Sequence, residues 1–142
     1  MVGTGDLPNF FRAPYGPGWA LAGDAGYHRD PLTAQGISDA FRDAQLLSEA
    51  IDAGLAGRQP LPEALAGYQR RRDEGSTAIY ELTCQGAALE PPAPQMTQLV
   101  AALRGNQGDT DRFLGVVAGT VAIPEFFATG NIERILAAST TA

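Results

Sequence analysis

The chain contains no lysine: all ten of its cations are arginine, set against sixteen carboxylates for a net charge of −6. An acidic chain without a basic cluster excludes nucleic acid as a partner. One cysteine, Cys84, rules out an internal disulfide, and one cysteine with one histidine leaves no set of ligands for a protein-only zinc or iron–sulfur site. No metal site is expected. No apolar run reaches the roughly 18 residues of a membrane-spanning helix, and Asp6, Pro8 and Asn9 interrupt any leader-like hydrophobic segment. These absences predict a soluble, cytoplasmic chain with no membrane partner.

What is present is ordinary for a folded protein. Hydrophobic residues make up 44% and charged residues 18% of 142, which excludes a disordered chain. That length suits one domain burying about two-thirds of its unfolded surface. Residues 1–18 are rich in glycine and proline and read as a loop-like lead-in; residues 19–142 read as a single domain. Trp19-Ala20-Leu21-Ala22 suits a short buried strand ending at Gly23-Asp24, after which a proline-bearing loop leads to Gly36. From Gly36 to about residue 53, Ile37, Ala40, Phe41, Ala44, Leu47 and Ile51 recur at helical spacing as one apolar stripe. Ser38, Asp39, Arg42, Asp43, Gln45, Glu49 and Asp52 occupy the rest of the circumference, and Gly54 is a natural stop.

A second helix opens near Pro62 and keeps its period through Leu65, Tyr68, Arg72, Ile79 and Leu82 to about residue 89, with Gly75-Ser76 as a candidate kink. The proline-rich segment 90–94 breaks it. Further helices are predicted over 95–104, over 109–119 with Asp109 or Thr110 as N-cap, over 124–127, and over 132–138. Arg70-Arg71-Arg72 reads either as a phosphate contact or as a solvated helix face, and the following Asp73-Glu74 favours the second. Cys84 has no sequence-near cation to make it a thiolate and reads as a structural cysteine.

The segment Gly23-Asp24-Ala25, Pro31, Gln35-Gly36-Ile37 and Asp43-Ala44 places a carboxylate and a helix N-terminus side by side. That combination suits a ligand with hydroxyls to bind and an electron-rich end to stabilise. It resembles the second flavin motif of the FAD-dependent monooxygenases of the para-hydroxybenzoate hydroxylase type, a group that includes flavin halogenases and geranylgeranyl reductases. The resemblance implies a mainly α chain, the helical C-terminal portion of an FAD/NAD(P)-binding α/β fold, with one short strand near its N-terminus. It implies FAD as cofactor, NAD(P)H as reductant and an organic substrate. Gly23, Asp24, Ala25, Pro31, Gln35, Gly36 and Ile37 then become cofactor-binding residues. Asp24 would bind the ribityl chain, and the 35–37 backbone would face the pyrimidine ring. No catalytic side chain is implied. Taken locally, Asp24 also reads as an Asx-turn residue, and Asp43 as either a surface acid or, by the resemblance, a group that binds neighbouring backbone.

The family's Gly-x-Gly-x-x-Gly pyrophosphate turn is absent: Gly3-x-Gly5 and Gly16-x-Gly18 lie beside prolines, with no strand before or helix after. The expectation is therefore a fragment lacking the N-terminal flavoprotein half, inactive alone and weak in binding FAD. Tyr27 stands where the motif often has histidine, with His28 next to it, and Thr33 where many relatives have glycine. His28 reads as a solvent-facing loop residue or a proton shuttle. The competing expectation is a catalytically silent helical module that self-associates as a homodimer through the stripe on the 36–53 helix.

Overall fold

A computed structural model describes residue 5 and residues 7–139. The chain is mainly helical with a few very short strands near its start. It divides into two compact units, the first ending at Ala88 and the second beginning at Leu89.

Among the described residues the first unit holds four two-residue strands. β1 (Phe10–Phe11) pairs antiparallel with β4 (Tyr27–His28), and β2 (Tyr15–Gly16) with β3 (Trp19–Ala20). The single buried strand expected over residues 19–22 is corrected here. Only Trp19 and Ala20 are extended, as half of a tight hairpin, and the Trp19 side chain is largely exposed. Among the described residues no further strand flanks it, and Ala20, Leu21 and Ala22 are only half-buried.

α1 (Gly36–Leu55) and α2 (Leu61–Ala87) form a helical hairpin joined by residues 56–60. The turn depends on a close approach at Gly54, where a Cβ would lie 2.6 Å from Leu61 Cδ1 and 3.0 Å from its Cα. α2 runs through Gly75-Ser76 without interruption. Its buried residues, Ala64, Leu65, Tyr68, Arg72, Ser76, Ile79 and Thr83, follow one helical stripe. Near the hairpin end the core is apolar, built from Leu46, Ala50, Ala64, Leu65 and Tyr68 with Tyr15 and Leu47 packed on it. Tyr68 donates to the Leu21 carbonyl at 2.6 Å, and burial pushes its pKa up to about 12, which keeps the hydroxyl a donor. The arginine run divides: Arg70 and Arg71 face solvent, while Arg72 is buried beneath Phe11 and donates to Asp73 at 2.8 Å and to the Arg12 carbonyl at 3.3 Å. A solvated face describes only the first two.

The second unit comprises α3 (Pro94–Leu103), α4 (Gln107–Ala118), α5 (Ile123–Phe126) and α6 (Thr129–Ser139). Leu99, Ala102, Leu103, Val116, Phe126 and Ile135 are its buried apolar residues. Asn106, rather than Asp109 or Thr110, caps α4: its Oδ1 accepts the Asp109 N–H at 3.1 Å, while its Nδ2 donates to Asp109 Oδ2 at 2.7 Å. Among the described residues no helix is long and apolar enough to cross a membrane.

Candidate functional site

The motif segment folds against the side of α1 that carries aspartates. Gly23–Ala25 forms one 3₁₀ turn, with Gly23 at φ +58°. Only glycine suits that position, since a Cβ there would meet Ala40 Cβ at 3.0 Å and its Cα at 3.3 Å. The Gly23 N–H donates to Asp43 Oδ2 at 3.2 Å. Pro31–Thr33 forms a second 3₁₀ turn, capped by Asp30, whose Oδ1 accepts the Leu32 N–H at 3.0 Å. Gln35 then leads directly into α1. Asp24 is exposed, and its Oδ1 lies 3.9 Å from the point a Cβ on Gly36 would occupy. The carboxylate and the helix start are therefore neighbours in space.

Between them lies a cleft of about 170 Å³. Of the seven residues expected at a binding site, Gly23, Asp24, Pro31, Gln35 and Gly36 line it. Ala25 and Ile37 do not. The Ala25 carbonyl accepts from Arg12 Nη1 at 3.3 Å, and the Ile37 side chain is 77% exposed on the outer face of α1. His28 also lines the cleft, half-buried in β4 rather than loose in a loop. Its Nδ1 donates to the Pro8 carbonyl at 2.9 Å and its ring stacks on Phe10.

Beneath the cleft lies a charged layer absent from the sequence reading. Asp39 pairs with Arg29 at 2.5 Å and with Arg42 at 2.8 Å, and Asp43 pairs with Arg42 at 3.1 Å. Arg42 also donates to the Tyr27 hydroxyl at 3.1 Å and to Ser76 Oγ at 2.9 Å. Burial raises the Asp43 carboxyl above its ordinary pKa, although Arg42 and the Gly23 N–H pull it back. Burial likewise raises Tyr27, and Tyr27 and Asp39 lift Arg42 against the opposing effect of its own burial. One signal for this layer was available: Asp39, Asp43, Leu46 and Ala50 recur at helical spacing, and this mixed stripe is the buried face of α1. Asp43 is thus the backbone-binding group and not the surface acid.

Most of the apolar stripe faces the other way, with Leu47 alone half-buried against the core. Ile37 and Phe41 are 77% and 75% exposed, and Ile51 and Leu55 are also open to solvent.

Comparison with known proteins gives one distant likeness. The chain is 25% identical over 138 residues to a tryptophan 2-halogenase of Chondromyces crocatus, an alignment covering 91% of the chain. It spans only about a quarter, 26%, of that relative's length. No protein-family model and no solved structure matches the chain.

Proposed function

We propose that the chain is the flavin-contacting, C-terminal portion of an FAD-dependent oxidoreductase acting on an organic substrate. The observation that carries this reading is the cleft where Asp24 stands beside the opening of α1, with Gly23, Pro31, Gln35 and Gly36 around it. The likeness to a tryptophan 2-halogenase points in the same direction, since flavin halogenases belong to the group whose motif the segment resembles. Monooxygenation is the reaction we favour. Halogenation and reduction are the other chemistries of the same motif, and NAD(P)H as reductant rests on the motif resemblance alone.

The residues fit one end of a flavin. A cleft of about 170 Å³ is smaller than the roughly 300–1,000 Å³ of a small-molecule site, so it admits part of a ligand. Asp24 would accept from ribityl hydroxyls, and the first N–H groups of α1, which have no partner within the helix, would meet an electron-rich ring edge. When bound, the flavin supplies the redox chemistry, and the protein supplies position and charge compensation.

Titration with FAD, followed by flavin fluorescence, tests the reading. Weak binding, needing high micromolar to millimolar flavin, is expected, because the pyrophosphate turn is not in the sequence. Sub-micromolar affinity would overturn the partial-site reading, and no response at millimolar flavin would overturn flavin contact altogether.

A second reading rests on the stripe of Ile37, Phe41, Ala44, Leu47 and Ile51 on α1, of which all but the half-buried Leu47 are exposed. It holds that the isolated chain self-associates as a homodimer through that stripe.

A further inference from the structure

Between the β2–β3 hairpin and residues of α1 and α2 lies a groove of about 590 Å³, within the roughly 300–1,000 Å³ of small-molecule sites. It shares no lining residue with the motif cleft. Tyr15 and Trp19 of the hairpin, Ile51 of α1, and Leu61 and Leu65 of α2 line it, and none of its lining residues carries a charge. Trp19, Ile51 and Leu61 are 48%, 39% and 38% exposed, so three large apolar side chains meet water around one groove. Its walls are stiff. Pro17 and Pro62 fix the backbone on the two sides, and Leu65 and Tyr15 belong to the packed core. Trp19 rests on Gly16, where a Cβ would stand 2.6 Å from Trp19 Cε2 and 2.7 Å from its Cζ2 and Nε1. Any larger residue at position 16 would push the indole aside.

We propose that this groove binds an uncharged, planar aromatic compound, its ring stacked on Trp19. The absence of charge follows from the lining. A carboxylate or ammonium entering the groove would shed its water and meet no counter-charge there. The flat ring follows from Trp19. One part of the indole is taken up by Gly16, and nearly half of the residue is still open. Aromatic pairs gain more than their buried area alone supplies, which favours an aromatic guest over an aliphatic one of the same size. Walls fixed by two prolines and by core residues need little ordering when a compact, rigid ligand enters. Self-association through α1 is a separate matter, because Ile51 is the one member of the Ile37, Phe41, Ala44, Leu47 and Ile51 stripe that lines the groove.

Trp19 is the only tryptophan of the chain, so its indole N–H gives a single resonance to follow. The experiment is an NMR titration with three probes: 2-naphthol, its charged counterpart 2-naphthoate, and the saturated alcohol decahydro-2-naphthol. 2-Naphthol is expected to move the Trp19 indole and the Leu61 and Leu65 methyls while leaving the Gly36 amide of the motif cleft in place. The other two probes are expected to bind more weakly. Trp19→Leu, which keeps an apolar side chain but no ring, should weaken 2-naphthol binding roughly fivefold, read from the methyls. Equal binding of 2-naphthoate would overturn the assignment of an uncharged ligand, and equal binding of the saturated alcohol would overturn the aromatic one. A 2-naphthol titration that moves nothing, or moves Gly36 in place of Trp19, would overturn the site. A Trp19 resonance that shifts on diluting the ligand-free chain, with no further response to 2-naphthol, would assign the groove to a second copy instead. Should Trp19→Leu fail to fold, the ranking of the three probes on the wild-type chain decides the question alone.

Discussion

Gly23 donates its backbone N–H to Asp43 Oδ2 across 3.2 Å, so a carboxylate within α1 holds the turn that opens the motif. Asp43 is wholly buried, and its other oxygen faces Arg42 at 3.1 Å. Glycine at one end and aspartate at the other form a single device. The glycine permits the close approach, and the aspartate satisfies the N–H that this approach removes from water.

Asp43→Ala should therefore destabilise the fold by about 1–3 kcal/mol, because it strands a buried N–H and leaves Arg42 with one carboxylate fewer. Urea denaturation measures this. A variant within about 0.5 kcal/mol of wild type, the range of neutral surface changes, would show that the contact is dispensable.

Asp24→Ala removes an exposed carboxylate and should leave stability nearly unchanged while lowering flavin affinity by roughly 1–3 kcal/mol through lost charge-assisted hydrogen bonds. His28→Ala should leave flavin affinity nearly unchanged, since the ring is engaged with the Pro8 carbonyl and Phe10. Parallel titrations compare the two. Equal losses would remove the special role given to Asp24.

The stripe on α1 sets an expectation about assembly. Burying a large apolar side chain gains roughly 1.5–3 kcal/mol, and Ile37 and Phe41 stand almost fully in water. The isolated chain is expected to dimerise with this helix at or near the interface. Because Phe41 is so exposed, Phe41→Asp should dissociate the dimer without unfolding it. Light scattering decides, and a stable monomer of about the chain mass, 14.9 kDa, would sink the idea.

Acid should weaken the second unit. Arg134 grips Asp109 through two hydrogen bonds, at 3.0 and 2.5 Å, and holds its carboxyl below the ordinary carboxylate range. A pKa depressed on folding contributes stability above the unfolded value, about 3.9, and that contribution is lost as pH falls through the folded one. Asp109→Asn should be less stable than wild type at neutral pH, and the gap should close below about pH 4. Melting curves across pH test this, and a gap that stays constant down to about pH 3 would contradict it.

The six α-helices among the described residues were legible in the sequence because helical period and breakers are local. The apolar spacing from Gly36, Pro62 near the start of α2, and the prolines at 91, 92 and 94 place the elements within a few residues of where they lie. The motif was legible for the same reason, as most of its members fall within a short segment, and five of its seven predicted binding residues line one cleft. Which side of α1 is covered was not legible from hydrophobicity, which points away from the mixed stripe of Asp39, Asp43, Leu46 and Ala50. Most of its apolar stripe faces outward, while Asp39 and Asp43 are buried. Hydrophobicity alone assigns the opposite face, because burying carboxylates is unfavourable until their partners are counted. Those partners, the Gly23 N–H, Arg29 and, through Arg42, Ser76, come from separate stretches of chain. Local spacing is enough to say where the helices run and where the motif lies, whereas the buried face of α1 follows from distant donors brought to two aspartates.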